Sequence, residues 1–298
     1  MHHLSWLEAA VIGLMQGVSE LFPVSSLGHS VLLPAVIGGS WARDLDVSAP
    51  ESPYLAFIVG THVATALALL LFYRRDWQRL IVGLFTSVRH RRLETPDERL
   101  IWLLVVGTIP VGLVGLLFEH WLRTHLGRPV PAACFLMVNG LILLAMEWYA
   151  ARSPAQETEL PPDADIAADA RLSRMSFGRA LAIGSAQILA LGPGISRSGV
   201  STAAGMWSGL RREDALRFSF MLATPVILAA GVLKLPDLFG PLGDGIRPQV
   251  LVGSLLAGLG AYVSVRWLTR YVHTNSLRPF GWYCLAAGAA CLVLFAVR

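Results

Sequence analysis

Six long apolar runs mark the chain, at 54–73, 100–118, 131–150, 215–233, 248–265 and 280–297. Each comes close to the roughly 20 residues that an α-helix needs to cross a bilayer, so each predicts a transmembrane helix. Four shorter apolar runs come in two pairs. Residues 4–18 are followed by Pro23 and Gly28 and then by 30–38; residues 177–191 are followed by Gly192-Pro193-Gly194 and then by 199–210. Half-length helices around a polar break predict re-entrant pairs. Irregular backbone at membrane depth is tolerated only where protein or a wet cavity covers it.

One re-entrant pair and three crossings therefore occur in 1–150, and again in 176–298. Residues 151–175, rich in Ala, Pro and Asp, read as a polar, flexible linker without hydrophobic period. Three crossings per copy send the second copy into the membrane from the opposite side. This predicts an inverted-topology repeat whose broken segments meet near the midplane. A shift of 171 residues carries Gly13, Gln16, Ser25, Gly28 and Ser30 onto Gly184, Gln187, Ser196, Gly199 and Ser201. The matches are few, but they fall in the broken segments.

Composition agrees with this pattern. Only 15% of the 298 residues are charged and 54% are hydrophobic, with a mean hydropathy of +0.57, whereas a soluble domain carries about 25% charged residues. The expectation is a single all-α polytopic membrane domain over 1–298, with six transmembrane helices and two re-entrant pairs. Met1-His2-His3 lacks the basic start of a signal peptide, so the amino end is expected to stay in the mature protein. Cys134, Cys284 and Cys291 lie in apolar runs without metal-ligand spacing and read as small core residues. The net charge of +4 does not call for a nucleic-acid partner, because its arginines cluster in loops. Segments 74–99, 151–179, 209–217 and 266–278 hold 17 of the 24 Lys and Arg, which makes that side cytoplasmic. The loop at 39–53 falls on the other side.

Two charges belong to neither face, Glu20 and Arg197, and each lies in its own half's helix break. Intramembrane charges pair with one another or line a wet cavity. A purely structural salt bridge would need none of the hydroxyls and glycines gathered there. Gly194-Ile195-Ser196-Arg197-Ser198-Gly199 has the makings of a phosphate cradle: glycines allow close approach, Ser196 and Ser198 donate, a helix amino terminus points inward, and guanidinium binds phosphate bidentately. Plain capping is its bland alternative. Gln16 and Glu20, four residues apart, share a helix face and offer oxygens to Mg²⁺ or Ca²⁺; a simple side-chain hydrogen bond is the alternative. Ser25, Ser26 and His29 follow. Ser26 and His29 are three apart and can meet as a hydroxyl nucleophile and its base, against an N-cap serine and a buried histidine. His62 reads equally as packing or as support for the site.

Gln16-x-x-x-Glu20 with Pro23-Val24-Ser25-Ser26-Leu27-Gly28-His29, and Pro193-Gly194-Ile195-Ser196-Arg197-Ser198-Gly199, together resemble the undecaprenyl-diphosphatase family, also called bacitracin-resistance proteins. Ile109-Pro110 and the segment from Phe218 to Pro225 are similar to family segments too, so the resemblance covers nearly the whole chain. It implies hydrolysis of undecaprenyl diphosphate to undecaprenyl phosphate and phosphate, which recycles the lipid carrier of wall synthesis and confers bacitracin resistance. It also implies a divalent cation, Mg²⁺ or Ca²⁺, and a multi-pass protein of the bacterial inner membrane with its site open to the periplasm. By the same resemblance Glu20 and Gln16 lie near metal and diphosphate. Arg197, Ser196 and Ser198, with Ser25 and Gly194, hold phosphate, and Ser26 and His29 are nucleophile and partner. The family pattern leaves open whether Ser26, His29 or water attacks; Ser26 with His29 as base is the favoured assignment. Two departures stand out: Gln16 is neutral where many members carry glutamate, and Leu27 replaces a common threonine.

A polyprenyl-phosphate transporter is the rival function, since inverted repeats with broken helices are transporter architecture. A membrane scaffold would account for the hydrophobicity but not for Glu20, His29 and Arg197 at depth. The sequence does not decide between a monomer and a homodimer.

Overall fold

The computed structural model describes residues 4–47, 53–152, 164–240 and 243–298, and every regular element among them is helical. The chain opens with α1 (Trp6–Leu21), α2 (Ser26–Ile37) and the short α3 (Gly39–Asp44). Next come α4 (Pro53–Phe72), α5 (Arg74–His90), α6 (Pro96–Leu126) and α7 (Pro129–Ala150). The second half holds α8 (Ala164–Ser173), α9 (Phe177–Ala186), a 3-10 turn over Gln187–Leu191, and α10 (Arg197–Trp207). It closes with α11 (Arg212–Phe239), α12 (Arg247–Thr274) and α13 (Arg278–Val297). Among the described residues six helices, α4, α6, α7, α11, α12 and α13, are long and apolar enough to cross a membrane. They are the six predicted runs, and the chain is a multi-pass membrane protein.

α1 starts where Ser5 and Glu8 form a reciprocal capping box, which satisfies amide groups that the first helical turn leaves open. It stops where Phe22 turns extended and Pro23 follows. This helix does not pack chiefly within its own half. It lies along α12, with Gly13 against the Gly253 backbone and Gly17 against Ala257. In the other half α9 lies along α6, with Gly184 against Gly107. Small residues let helix backbones approach closely where lipid provides no hydrophobic drive between helices. Gly13 and Gly184 are one of the pairs related by the shift of 171. Gly60 and Gly231 have the same separation, and each is also a close-contact position, against Val250 and Val63 respectively.

Three expectations need correction. The basic segment 74–99 is not an open loop, because α5 occupies most of it. Leu80, Gly83 and Ser87 face inward, while Ile81, Val82, Phe85 and Val88 lie exposed. The linker 151–175 is also not wholly irregular. Residues 153–163 lie outside the described residues, but α8 is folded and held by buried charge. Its Asp169 bonds Arg79 of α5 at 2.6 Å and Arg217 of α11 at 2.9 Å. Asp76 and Asp97 also engage Arg79, at 2.7 and 3.3 Å, so α5, α6, α8 and α11 meet in one network. Arg171 adds a two-pronged bond to Asp214, both contacts at 2.7 Å. Finally, Cys284 is buried but Cys134 lies on the outer surface, not in the core.

Candidate active site

The site forms where the two helix breaks touch. Ser25, the N-cap of α2, has φ 70° and ψ 98°, a conformation that costs a non-glycine residue about 1–3 kcal/mol. Its hydroxyl oxygen explains why the strain is tolerated. It accepts from the Gly28 amide at 3.2 Å and from the Gly194 amide of the other half at 3.1 Å. Gly28 and Gly194 make the contact sterically possible, since a Cβ on Gly28 would lie 2.7 Å from the Gly194 Cα. Gly194 also has φ 111° and rests against α7, where a side chain would be both strained and obstructed.

The second break mirrors the first. Ser196 caps α10 by accepting from the Gly199 amide at 3.1 Å, as Ser25 does for Gly28. Its own N–H donates to Asn139 Oδ1 of α7 at 3.0 Å, while Asn139 Nδ2 donates to the Pro23 carbonyl at 2.8 Å. One buried amide therefore holds both breaks. Ser196 and Ser198 hydroxyls lie 3.0 Å apart, and Ser198 donates to the Leu21 carbonyl at 3.3 Å.

Glu20 is the hub. Arg197 forms an ion pair with its Oε1, and the Ser26 hydroxyl donates to its Oε2. Gln16 Nε2 also donates to Oε2, at 3.0 Å, and His62 Nε2 lies 3.3 Å from the same atom. The Glu20 side chain is 5% exposed and that of Arg197 19%, so the carboxylate is sheltered while the guanidinium can reach a ligand. The buried Gln16 Oε1 has no hydrogen-bond partner among the described residues.

The predicted Ser26–His29 pair is not formed. His29 Nδ1 lies 2.7 Å from the Ser25 carbonyl, and Nε2 lies 2.7 Å from the Tyr283 hydroxyl, whose ring stacks on the imidazole. A carbonyl can only accept, so Nδ1 carries the proton and Nε2 accepts from tyrosine. Both ring nitrogens are occupied, and the group that accepts the Ser26 hydroxyl hydrogen bond is Glu20. Gln16, Glu20, Ser25, Ser26, Gly194, Ser196, Arg197 and Ser198 thus form one connected cluster, with His29 at its edge. Sequence reasoning missed Asn139 and Tyr283. Asn139 carried a signal, as the only side-chain amide in 131–150; Tyr283, a common residue near membrane surfaces, did not.

The family model described as "Bacitracin resistance protein BacA" matches residues 9–290. The chain belongs to this family. The match spans both breaks and all six long helices, so the family covers the whole site and not one motif. Among curated members, an undecaprenyl-diphosphatase of Mycolicibacterium paratuberculosis is 60% identical over 99% of both chains. An undecaprenyl-diphosphatase 1 of Frankia casuarinae is 50% identical over the full length of both. An undecaprenyl-diphosphatase 2 of Chromobacterium violaceum is 41% identical, covering 96% of this chain and 98% of its own.

Proposed function

We propose that this chain is a lipid-diphosphate phosphatase. It hydrolyses undecaprenyl diphosphate to undecaprenyl phosphate and inorganic phosphate in the bacterial inner membrane, and so sustains wall synthesis and bacitracin resistance. The names of full-length relatives support the substrate. The observation that carries the chemistry is Glu20 binding the Ser26 hydroxyl and the Arg197 guanidinium on its two oxygens. In this reading Glu20 deprotonates, Ser26 attacks and Arg197 binds phosphate, and the two contacts support it.

Arg197 takes the diphosphate through its planar fork of donors, aided by the Ser196 and Ser198 hydroxyls and the amino end of α10. Ser26 Oγ gives its proton to Glu20 Oε2 and bonds the terminal phosphorus, and the bridging P–O bond breaks. Undecaprenyl phosphate leaves. Water then cleaves the Oγ–P bond, phosphate is released, and the proton returns from Glu20 to Ser26. His29, with Tyr283, fixes the first turn of α2 through the Ser25 carbonyl. The residues fit a divalent cation: one carboxylate beside an unpartnered buried amide oxygen, Gln16 Oε1, suits an ion whose remaining ligands are phosphates and water. When bound, such an ion supplies neutralisation of the diphosphate charge. The arginine-rich end is cytoplasmic by its 17 basic residues, and the site opens to the periplasmic side.

The test is phosphate release from a C15 or C55 diphosphate by purified protein, with and without chelator. Wild type is expected to release phosphate, the chelator to suppress it, and Arg197→Ala to abolish it. Lipid scrambling in vesicles without phosphate release would replace this reading with a transporter.

A further inference from the structure

α5 carries none of the site residues, and its outer surface combines two chemistries. On its inner side Gly83 rests against the backbone of Asp97 and Glu98. Thr86 donates to Glu98 Oε1 at 2.7 Å, and Ser87 accepts from Trp102 Nε1 at 2.9 Å. Trp102 belongs to the apolar span of α6, which starts at Pro96, so α5 lies across the level where that span begins. A single residue, Tyr73, separates it from the crossing helix α4. The helix is therefore held at the membrane face from both ends.

Its outward residues divide into a stripe and its flanks. Ile81, Phe85 and Val88 follow at spacings of four and three and so share a face; they are 45%, 71% and 58% exposed. Arg74 and Arg75 stand at one end of this stripe, Arg89 and Arg91 at the other, all exposed. Among the described residues no carboxylate pairs with these four, and Arg74 reaches only the Leu71 carbonyl at 3.4 Å. Asp76, the one acid of the helix, is turned inward to Arg79. Arg79 itself is taken up by Asp76, Asp97 and Asp169 and holds the helix in place.

We infer that α5 is an interfacial helix that selects anionic phospholipid. The Ile81, Phe85 and Val88 stripe enters the acyl boundary, and the four free arginines, on stems long enough to reach past it, meet headgroup phosphates. Charge complementarity singles out this occupant. A second copy docked here would set arginine against arginine, and an acidic soluble protein would have to displace lipid from apolar side chains fixed at membrane level. The inference depends on the arginine-rich end lying at a membrane face, and not on the phosphatase reaction.

The test uses full-length protein in nanodiscs of phosphatidylcholine and phosphatidylglycerol in equal parts, with a trace of either lipid carrying a diazirine high on its acyl chain. After irradiation the labelled residues are mapped by mass spectrometry. Wild-type α5 is expected to take label from the glycerol lipid at least about fivefold more than from the choline lipid, the effect of a single arginine near an anionic surface, with the label centred on Ile81, Phe85 and Val88. Leu255 and Leu259, exposed on α12, are expected to be labelled equally by both. Changing Arg74, Arg75, Arg89 and Arg91 together to glutamine should bring the α5 ratio close to one, and changing them to lysine should keep it. Arg89→Gln with Arg91→Gln serves should the fourfold glutamine variant aggregate, and is expected to lower the ratio. Equal labelling of wild-type α5 by the two lipids, an undiminished preference in a folded glutamine variant, or cross-links from α5 to a second copy in place of lipid would overturn the assignment. Phosphate release is measured on the same preparation. Release without selective labelling sinks this inference alone; selective labelling without release sinks the phosphatase reading and leaves the lipid surface in place.

Discussion

Two clusters of arginine and carboxylate lie in this chain, and they are built to opposite ends. At the arginine-rich end Asp169 is 1% exposed and lies between Arg79 and Arg217, with Asp76 and Asp97 sharing Arg79. Charge meets charge and the network closes four helices together. At the helix breaks Glu20 faces a single arginine, and its remaining neighbours are a hydroxyl, an amide and an imidazole. Around it lie strained backbone at Ser25, an unpartnered acceptor on Gln16 and a more exposed guanidinium. The difference teaches that the presence of a buried ion pair does not mark a reactive site. What marks it is unsatisfied chemistry gathered around the pair.

Substitutions separate the two clusters. The largest effect is expected at Ser26. Ser26→Ala should cut phosphate release by at least about 10³-fold while the protein still inserts and purifies; His29→Ala should cost only on the order of tenfold, since His29 bonds the Ser25 carbonyl and the Tyr283 hydroxyl and not Ser26. Equal losses in a turnover assay would restore His29 as the base. In the closed cluster Asp169→Ala removes one of the two carboxylates that Arg79 and Arg217 share and leaves Asp76 between them. Loss of one partner from a buried pair costs about 3–5 kcal/mol. Thermal unfolding in detergent should show this as a clear drop in midpoint, with turnover per folded molecule unchanged. A lowered turnover at full stability would mean that the two clusters are coupled.

Asn139→Ala should give an intermediate result. It removes both the donor to Pro23 and the acceptor for Ser196, so the two breaks lose their common anchor. Turnover is expected to fall by up to about 10²-fold, the cost of displacing reacting groups by about an ångström, with KM little changed. A rise in KM alone would mean that Asn139 serves binding. The smallest effect belongs to Tyr283→Phe, which keeps the stacked ring and removes one hydroxyl. Turnover should stay within about threefold of wild type, and a larger loss would give the Tyr283–His29 pair a part in proton transfer.

The six spans were legible because a run of about 20 apolar residues has few alternatives in a membrane protein. The breaks were legible through Pro23 and Gly194, residues that end or bend helices for local reasons. α5 was less so, as its arginines obscure a half-apolar helix. α8 carries almost no periodic signal, and Asp169 gains its partners from α5 and α11, far away in sequence. Spacing alone does not say which of two possible neighbours a side chain takes. Residues three apart can touch, so Ser26 and His29 read as a pair; the Ser25 carbonyl and a tyrosine 254 residues away took the imidazole instead. Asn139 was visible as an isolated amide, but no local rule says which two loops it will join.

The embrace of α1 by α12 also bears on how the molecule is made. α1 leaves the ribosome well before the helix it matches, α12, on which Gly13 meets Gly253 and Gly17 meets Ala257. Until α12 has been synthesised, the small-residue face of α1 has no surface to meet, although the Gly194–Gly199 turn that faces Ser25 is already made. The break that carries Glu20 and Ser26 therefore gains its full packing only once α12 has been made.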